Sequence, residues 1–260
     1  MRQPIPPMKR AFDLLVGGSM LLALLPLLLL MAAGIGVLEG RPVLYVSRRR
    51  LNSGPAEPIV KFRTMRRDAD RIANRDTVPI VSTRFLNLPI TSPLYTPIGR
   101  VIERLMLTEM PQLLHVLAGR MSVVGNRPLP DNVVASLGEE FPQVEDRFLT
   151  PGGLTGPVQL VGRDLLSDQQ RLAIEIAYCD AVLRNYSPLL DLRILAYTVL
   201  AGFSESARFT SEEVLDLLAR HGARLVREAP PRRLGKPAAP EPDQEPPETV
   251  PAVHEGSGNR

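Results

Sequence analysis

Leu107-Thr108-Glu109-Met110-Pro111-Gln112-Leu113, followed by Gly119-Arg120-Met121-Ser122-Val123-Val124-Gly125-Asn126-Arg127-Pro128, is the stretch on which the reading of this chain turns. It sets a hydroxyl, a carboxylate, a glycine turn and a cation between positions 108 and 127. Such groups belong together around a phosphate, or around a phosphate shared with a metal ion. Locally, Thr108 reads as a helix N-cap, Glu109 falls in a first turn where the helix dipole favours a carboxylate, and Pro111 is tolerated there. A capped helix and nothing more accounts for the same residue types, while a helix N-terminus also offers free amide groups to a phosphate. Gly125-Asn126-Arg127-Pro128 reads as a turn that presents Arg127 rigidly, and an arginine fork grips phosphate oxygens.

Upstream, Lys61-Phe62-Arg63-Thr64-Met65 places two cations two residues apart, on one side of a strand. A solvated edge strand carries charges in the same way. The β-branched runs 43–47 and 59–63 flank Asn52-Ser53-Gly54-Pro55, which predicts a hairpin. A short charged helix is expected over 66–75 and an irregular, proline-containing loop over 76–97. Helices are expected over 98–107, 111–117, 167–183 and 189–200. Thr210 and Glu213 form a capping-box pattern that opens a last helix, with Val214, Leu217, Leu218 and Leu225 on one face. Residues 229–260, rich in Pro, Glu and Gly, bury too little apolar surface to order themselves and read as a disordered tail.

Residues 11–38 are a nearly continuous apolar run in which Asp13 is the only charge. As one helix at ~1.5 Å per residue the run reaches roughly 42 Å, against a bilayer core about 30 Å thick. Pro26 stands in its middle, where proline removes a backbone donor and clashes with the preceding turn. Lys9 and Arg10 precede the run; Arg41 and Arg48 to Arg50 follow it. A straight span leaves one of these basic clusters on the far side, against the positive-inside tendency. A helix that enters, breaks at Pro26 and returns to the same face satisfies both observations. The competing readings are a straight span and a signal peptide, whose apolar centre is shorter and ends in a small-residue cleavage site.

The composition narrows the partners. With 44% apolar residues in 260, one domain of ordinary size plus appendages is affordable. The net charge of +3 is modest, but arginines crowd 41–104 while the tail after Arg233 is acidic. That distribution suits a phosphorylated small molecule or an anionic membrane surface. Nucleic acid is not an expected partner, since aromatic residues are 5% and no binding motif is present. Cys179 stands alone, so no internal disulfide or cysteine metal site exists, and His115, His221 and His254 are too scattered for a zinc site.

Taken in order, these elements resemble the bacterial sugar transferases, the monotopic phosphoglycosyl transferases. The resemblance runs from Lys9-Arg10 and Pro26 through Lys61-Phe62-Arg63-Thr64-Met65 and the 107–128 stretch. It continues in Pro151-Gly152-Gly153-Leu154-Thr155-Gly156, in Gln159-Leu160-Val161-Gly162-Arg163, and in Asn185-Tyr186-Ser187 with Asp191-Leu192 and Thr198. Each motif is short, but their order and spacing together are specific. The resemblance implies a mixed, helix-rich α/β fold: a small cytosolic domain on the inner (cytoplasmic) membrane, with a Pro-broken re-entrant helix. The corresponding segments are 1–40 for the membrane helix, 41–205 for the transferase domain, 206–228 for a C-terminal amphipathic helix and 229–260 for the tail.

It also implies an activity. The family moves a sugar 1-phosphate from a nucleotide diphosphate sugar, usually a UDP-sugar, to undecaprenyl phosphate, with Mg²⁺ and an Asp-Glu dyad. The Asp attacks the β-phosphorus and the Glu supports the metal. Glu109 matches that Glu, while Thr108 stands where the nucleophile should be. Lys61, Arg63, Arg127 and Arg163 match substrate-binding positions. The chain departs from the pattern elsewhere too: Leu25 for a Ser, Glu103 for an Arg, His115 for an Asn, Arg120 for an Asp and Asn126 for a Pro. A threonine hydroxyl is a weak nucleophile without an activating base, so an acyl phosphate at position 108 is excluded. Two expectations remain. One is an enzyme working through Thr108 or by direct transfer. The other is a catalytically degenerate relative that binds the membrane and a nucleotide-sugar or lipid phosphate.

Overall fold

A computed structural model of the chain describes residues 5–69, 88–162, 165–203 and 208–224. Helix α1 (Pro7–Leu38) takes up the whole apolar run, with Pro7 at its first position and Pro26 inside it. Proline suits the first turn of a helix, where its missing N–H is not needed. The expected break at Pro26 does not end the helix: the hydrogen-bonded turns resume on its far side. One face is buried, through Lys9, Phe12, Asp13 and Gly17 in the first half and Leu28 and Ile35 in the second. Spacings of four and seven keep these residues on one stripe. Gly17 lets the helix approach closely, since a Cβ there would lie 3.1 Å from Val116 and 3.3 Å from Val123. Leu15, Leu22, Leu29, Leu30, Val37 and Leu38 point outward and are exposed.

The expected hairpin forms as β1 (Leu44–Arg49) against β2 (Glu57–Phe62), antiparallel, with Tyr45 opposite Lys61 and Ser47 opposite Ile59. Helix α2 (Pro97–Arg104) starts at Thr96, whose hydroxyl accepts the Gly99 N–H at 3.0 Å. It was expected to reach 107 and stops earlier for a local reason. Leu107 N–H returns to the Ile102 carbonyl and Met106 N–H to that of Glu103, both at 3.0 Å, with Met106 at φ 56°. This pattern closes a helix through a left-handed residue, usually glycine, with an apolar contact across the turn. Ile102 and Leu107 supply that contact in one buried cluster with Leu28, Ile35 and Phe62.

The helix expected over 111–117 begins as a 3₁₀ turn (Met110–Gln112) and continues as α3 (Leu113–Leu117). Strand β3 (Ser122–Val124) leads to α4 (Asp131–Glu140), a 3₁₀ segment (Pro142–Phe148) and β4 (Gly153–Thr155). Then come α5 (Val158–Val161), α6 (Asp168–Asn185), α7 (Pro188–Phe203) and α8 (Ser211–Arg220). The short parallel pair β3–β4 was not anticipated from sequence. Its glycines serve close backbone approach: a Cβ on Gly153 would meet Gly125 N at 2.2 Å, and one on Gly156 would meet Gly125 O at 2.2 Å. The capping box of Thr210 and Glu213 forms as expected. Val214 and Leu218 of α8 join the main core with Ile174, Tyr178, Ile194 and Val123. Of the remaining expectations, the helix over 66–75 is described only to Ala69, and Leu225 and the 229–260 tail lie outside the described residues.

The Lys9-Arg10 pair has a different job from the membrane-flanking one expected. Lys9 is 1% exposed. Its ammonium donates to Asp191 Oδ2 at 2.7 Å, to the Val124 carbonyl at 2.9 Å, to Asp13 at 3.3 Å and to Ser122 Oγ. Asp13 also accepts the Val123 N–H at 2.9 Å, and Tyr178 and Tyr186 donate to Asp191 at 2.8 and 3.0 Å. Arg10 donates to the Val116 and Leu117 carbonyls at 2.6 and 2.7 Å, at the C-terminal end of α3 where the helix dipole favours a cation. Buried charges persist when paired and fully hydrogen-bonded. This node therefore ties α1 to β3 and α7.

Candidate active site

Phe62 N–H donates to the Thr108 carbonyl at 2.9 Å, which draws 107–109 alongside the end of β2. Leu107 is anchored in the apolar cluster beneath. Glu109 then leads the 3₁₀ turn and faces Arg127, which follows β3. Arg127 Nη1 donates to Glu109 Oε2 at 2.9 Å, and Nη2 to Oε1 closes the fork. Both side chains are about three-quarters buried, at 25% and 28% exposure. Burial works against the Arg127 charge, but the charge and hydrogen bonds of Glu109, and then the charge of Glu103, outweigh it and raise its pKa.

The backbone that carries Arg127 is held from below. Arg147, 1% exposed, pairs with Glu175 through Nε–Oε2 at 2.6 Å and Nη2–Oε1 at 2.7 Å, and also donates to the Arg127 carbonyl at 2.8 Å. Buried Asn126 donates to the carbonyls of Arg147 at 2.9 Å and Glu175 at 3.0 Å. Asn126 was read from sequence only as a departure; its amide joins two elements that a proline could not. Neither Arg147 nor Glu175 was singled out, because nothing local marks a partner 28 residues away.

Thr108 does not act as a helix cap. The 3₁₀ turn carries no side-chain cap bond, and Thr108 Oγ1 is buried without a hydrogen-bond partner among the described residues. The reason is that its backbone is committed to β2, so its hydroxyl does not reach the turn's amides. Lys61 and Arg63, expected on one side of a strand, have different surroundings. The Lys61 ammonium stands 5.2 Å from the centre of the Tyr45 ring. Arg63 lies beyond the end of β2, is 7% exposed, and donates to the Glu39 and Gly40 carbonyls at 3.2 and 2.7 Å, closing off the C-terminal end of α1. Arg163 lies outside the described residues. The structure thus brings together Glu109, Arg127, Thr108 and, through Thr64, Glu103, whose Oε1 accepts the Thr64 hydroxyl at 3.0 Å.

His115 Nε2 accepts the Val60 N–H at 3.2 Å, which fixes a neutral ring. Burial, then the Arg120 charge, lowers its pKa from 6.5 despite Glu57. The unfolded chain therefore takes up a proton that the folded one refuses, and stability falls as pH drops below 6.5. We expect a loss of up to about 1.4 kcal/mol per pH unit in that window, flattened by His115→Asn. Denaturant melts at pH 7.5, 6.5 and 5.5 measure it; identical slopes in both proteins would refute it.

Among the described residues no group of three His, Cys, Asp or Glu could hold a metal ion by itself. Mg²⁺ is commonly bound by one or two carboxylates plus substrate phosphate oxygens. Glu109, a single carboxylate beside Arg127, fits an ion shared with a diphosphate better than a resident one.

The chain matches the bacterial sugar transferase model over residues 5–205 and belongs to that family. It is 32% identical over 198 residues to the exopolysaccharide production protein ExoY of Sinorhizobium fredii, covering 74% of this chain and 84% of that protein. It is 36% identical over 202 residues to the undecaprenyl-phosphate glucose phosphotransferase of Komagataeibacter xylinus, and 28% over 211 to the UDP-glucose:undecaprenyl-phosphate glucose-1-phosphate transferase of Escherichia coli. Those matches cover 74% and 78% of this chain but 35% and 41% of the longer relatives. Among the described residues α1 is the one helix long and apolar enough to cross a membrane.

Proposed function

We propose that the protein transfers a sugar 1-phosphate from a UDP-sugar to undecaprenyl phosphate at the cytoplasmic face of the inner membrane, an opening step of surface polysaccharide synthesis. The observation that carries this reading is the Glu109–Arg127 fork, built between two family motifs 18 residues apart. The substrates named for the Komagataeibacter and Escherichia relatives support it. The membrane placement rests on α1. Its first half packs on β3 and α3 and its second on α2 and β2. Contact of both halves with one domain supports a helix that stays on that domain's side of the membrane, since a straight span carries one half away from the domain.

Direct transfer is the version that the site favours. Among the described residues the Thr108 hydroxyl meets no carboxylate that could serve as a base, and Arg127 engages both Glu109 oxygens. An oxygen of the acceptor phosphate bonds to the β-phosphorus as the bond from that phosphorus to the bridging oxygen breaks, and UMP leaves. Arg127 grips phosphate oxygens. The diphosphate competes with Glu109 for the Arg127 fork, and Glu109 would be the carboxylate that holds a divalent cation. Mg²⁺, when bound, neutralises charge on the diphosphate. The partnerless Thr108 hydroxyl equally favours a second reading, a degenerate relative that binds donor or lipid phosphate without turnover.

One assay separates them: UMP release from a panel of UDP-sugars with Mg²⁺ and undecaprenyl phosphate, on purified protein and on inside-out vesicles. We expect weak turnover that requires the acceptor, persists in Thr108→Val and rises in Thr108→Asp. Silence with every donor would leave only the binding reading. Loss in Thr108→Val with donor binding intact would make the hydroxyl the nucleophile.

A further inference from the structure

Arg127 is held by contacts that its own side chain does not make. Asn126, which precedes it, is 3% exposed. The Asn126 amide donates to the Arg147 carbonyl at 2.9 Å and to the Glu175 carbonyl at 3.0 Å, and stands 3.3 Å from Cys179 Sγ. Two carbonyl acceptors settle which end of the amide is nitrogen. The Asn126 backbone carbonyl accepts the Gly153 N–H at 2.9 Å, which ties it to the first residue of β4. On the other side, Arg147 Nη2 donates to the Arg127 carbonyl at 2.8 Å, and Pro128 restricts Arg127 to extended backbone.

As architecture the knot is imperfect. Asn126 Oδ1 and Arg147 Nη1 are both buried and, among the described residues, neither has a hydrogen-bond partner. A buried donor or acceptor without a partner costs stability, and apolar side chains of the same shape avoid that cost. Stability alone therefore does not account for an amide at position 126. What the amide does achieve is to lock the residue next to Arg127 to two separate elements. These are the 3₁₀ segment Pro142–Phe148, through Arg147, and helix α6, through Glu175. A fork that meets a diphosphate with both N–H groups aligned tolerates little displacement of its base, since an error of about 1 Å costs on the order of 100-fold in rate.

We infer that Asn126 is a positioning residue for the transfer: its buried amide sets where the Arg127 guanidinium stands, and it acts through Arg127 rather than on the substrate. The inference rests on the transferase reading above, and concerns what keeps Arg127 in place. The Arg147–Glu175 ion pair is the frame to which the amide is tied.

The test is UMP release by the full chain in detergent micelles, with Mg²⁺, undecaprenyl phosphate and the UDP-sugar that wild type turns over fastest. We expect Asn126→Ala to lower kcat at least about 10-fold while KM for the donor stays within about threefold, because the guanidinium is kept and only its placement is loosened. Asn126→Asp keeps the shape, but its carboxylate cannot donate to the two carbonyls, so kcat should fall as far. Asn126→Ser takes the place of Asn126→Ala should the latter not fold, with the same split expected. Thr150→Val removes the contact to Cys179 Sγ at 3.2 Å and leaves both Asn126 bonds in place. It should lower the melting temperature at unchanged kcat. A kcat within about threefold of wild type in either Asn126 variant, or a loss as large in Thr150→Val, would overturn the inference and leave the transferase reading intact. Absent UMP release by wild type with every donor would refute that reading and the inference with it.

Discussion

Replacing Lys9 with Met is expected to cost about 3–5 kcal/mol of stability, as when one partner of a buried ion pair is removed. The ammonium is 1% exposed and stands between Asp13 and Asp191, which are 4% and 0% exposed. Methionine fills most of the volume but leaves both carboxylates without a cation. Tyr178 and Tyr186 still donate to Asp191, and the Val123 N–H still reaches Asp13, so the carboxylates keep hydrogen bonds while losing their counter-charge. Thermal unfolding in detergent should show the melting temperature lowered by roughly 10 °C. Adding Asp191→Leu to Lys9→Met should recover part of the loss, since it removes one stranded charge. A drop below about 1 kcal/mol in the single variant would mean that water reaches the node and screens it.

Arg127→Ala is expected to lower kcat/KM for UMP release about 100-fold or more, the scale on which a preorganised donor to developing phosphate charge acts. The substitution removes both hydrogen bonds of the fork to Glu109. Arg127→Lys should recover little, because an ammonium lacks the two parallel N–H groups that engage Glu109 through both oxygens. Folding should survive, since the Arg147 contact is to the Arg127 carbonyl, which alanine retains. Turnover within threefold of wild type in Arg127→Ala would remove Arg127 from the site.

The sequence was most legible where neighbours in the chain decide the outcome. The hairpin around 52–55, the start of α6 at Ser167 and the box at Thr210 and Glu213 depend on residues within a few positions, and each formed near its expected place. Motif order also marked Thr108, Glu109 and Arg127 as belonging to one site. The end of α2 was missed because Met106 is not a residue expected at φ 56°; its left-handed backbone is held by the apolar contact of Leu107 with Ile102.

What the sequence by itself determined is therefore the set of local elements, the apolar length of α1 and the family motifs in order. Only the tertiary structure decided which charges are tied into the architecture and by which partners. Lys9 and Arg10 look like membrane flanks in sequence, yet they hold partners 106 to 182 residues away. Arg63 looks like a phosphate ligand and closes off α1, and Thr108 looks like a cap and caps nothing. Glu103 reads as a departure from the family pattern and accepts the Thr64 hydroxyl. The physical reason is common to all five. What a polar group does depends on burial and on partners set by long-range packing, whereas sequence periodicity reports only which face of an element a residue occupies.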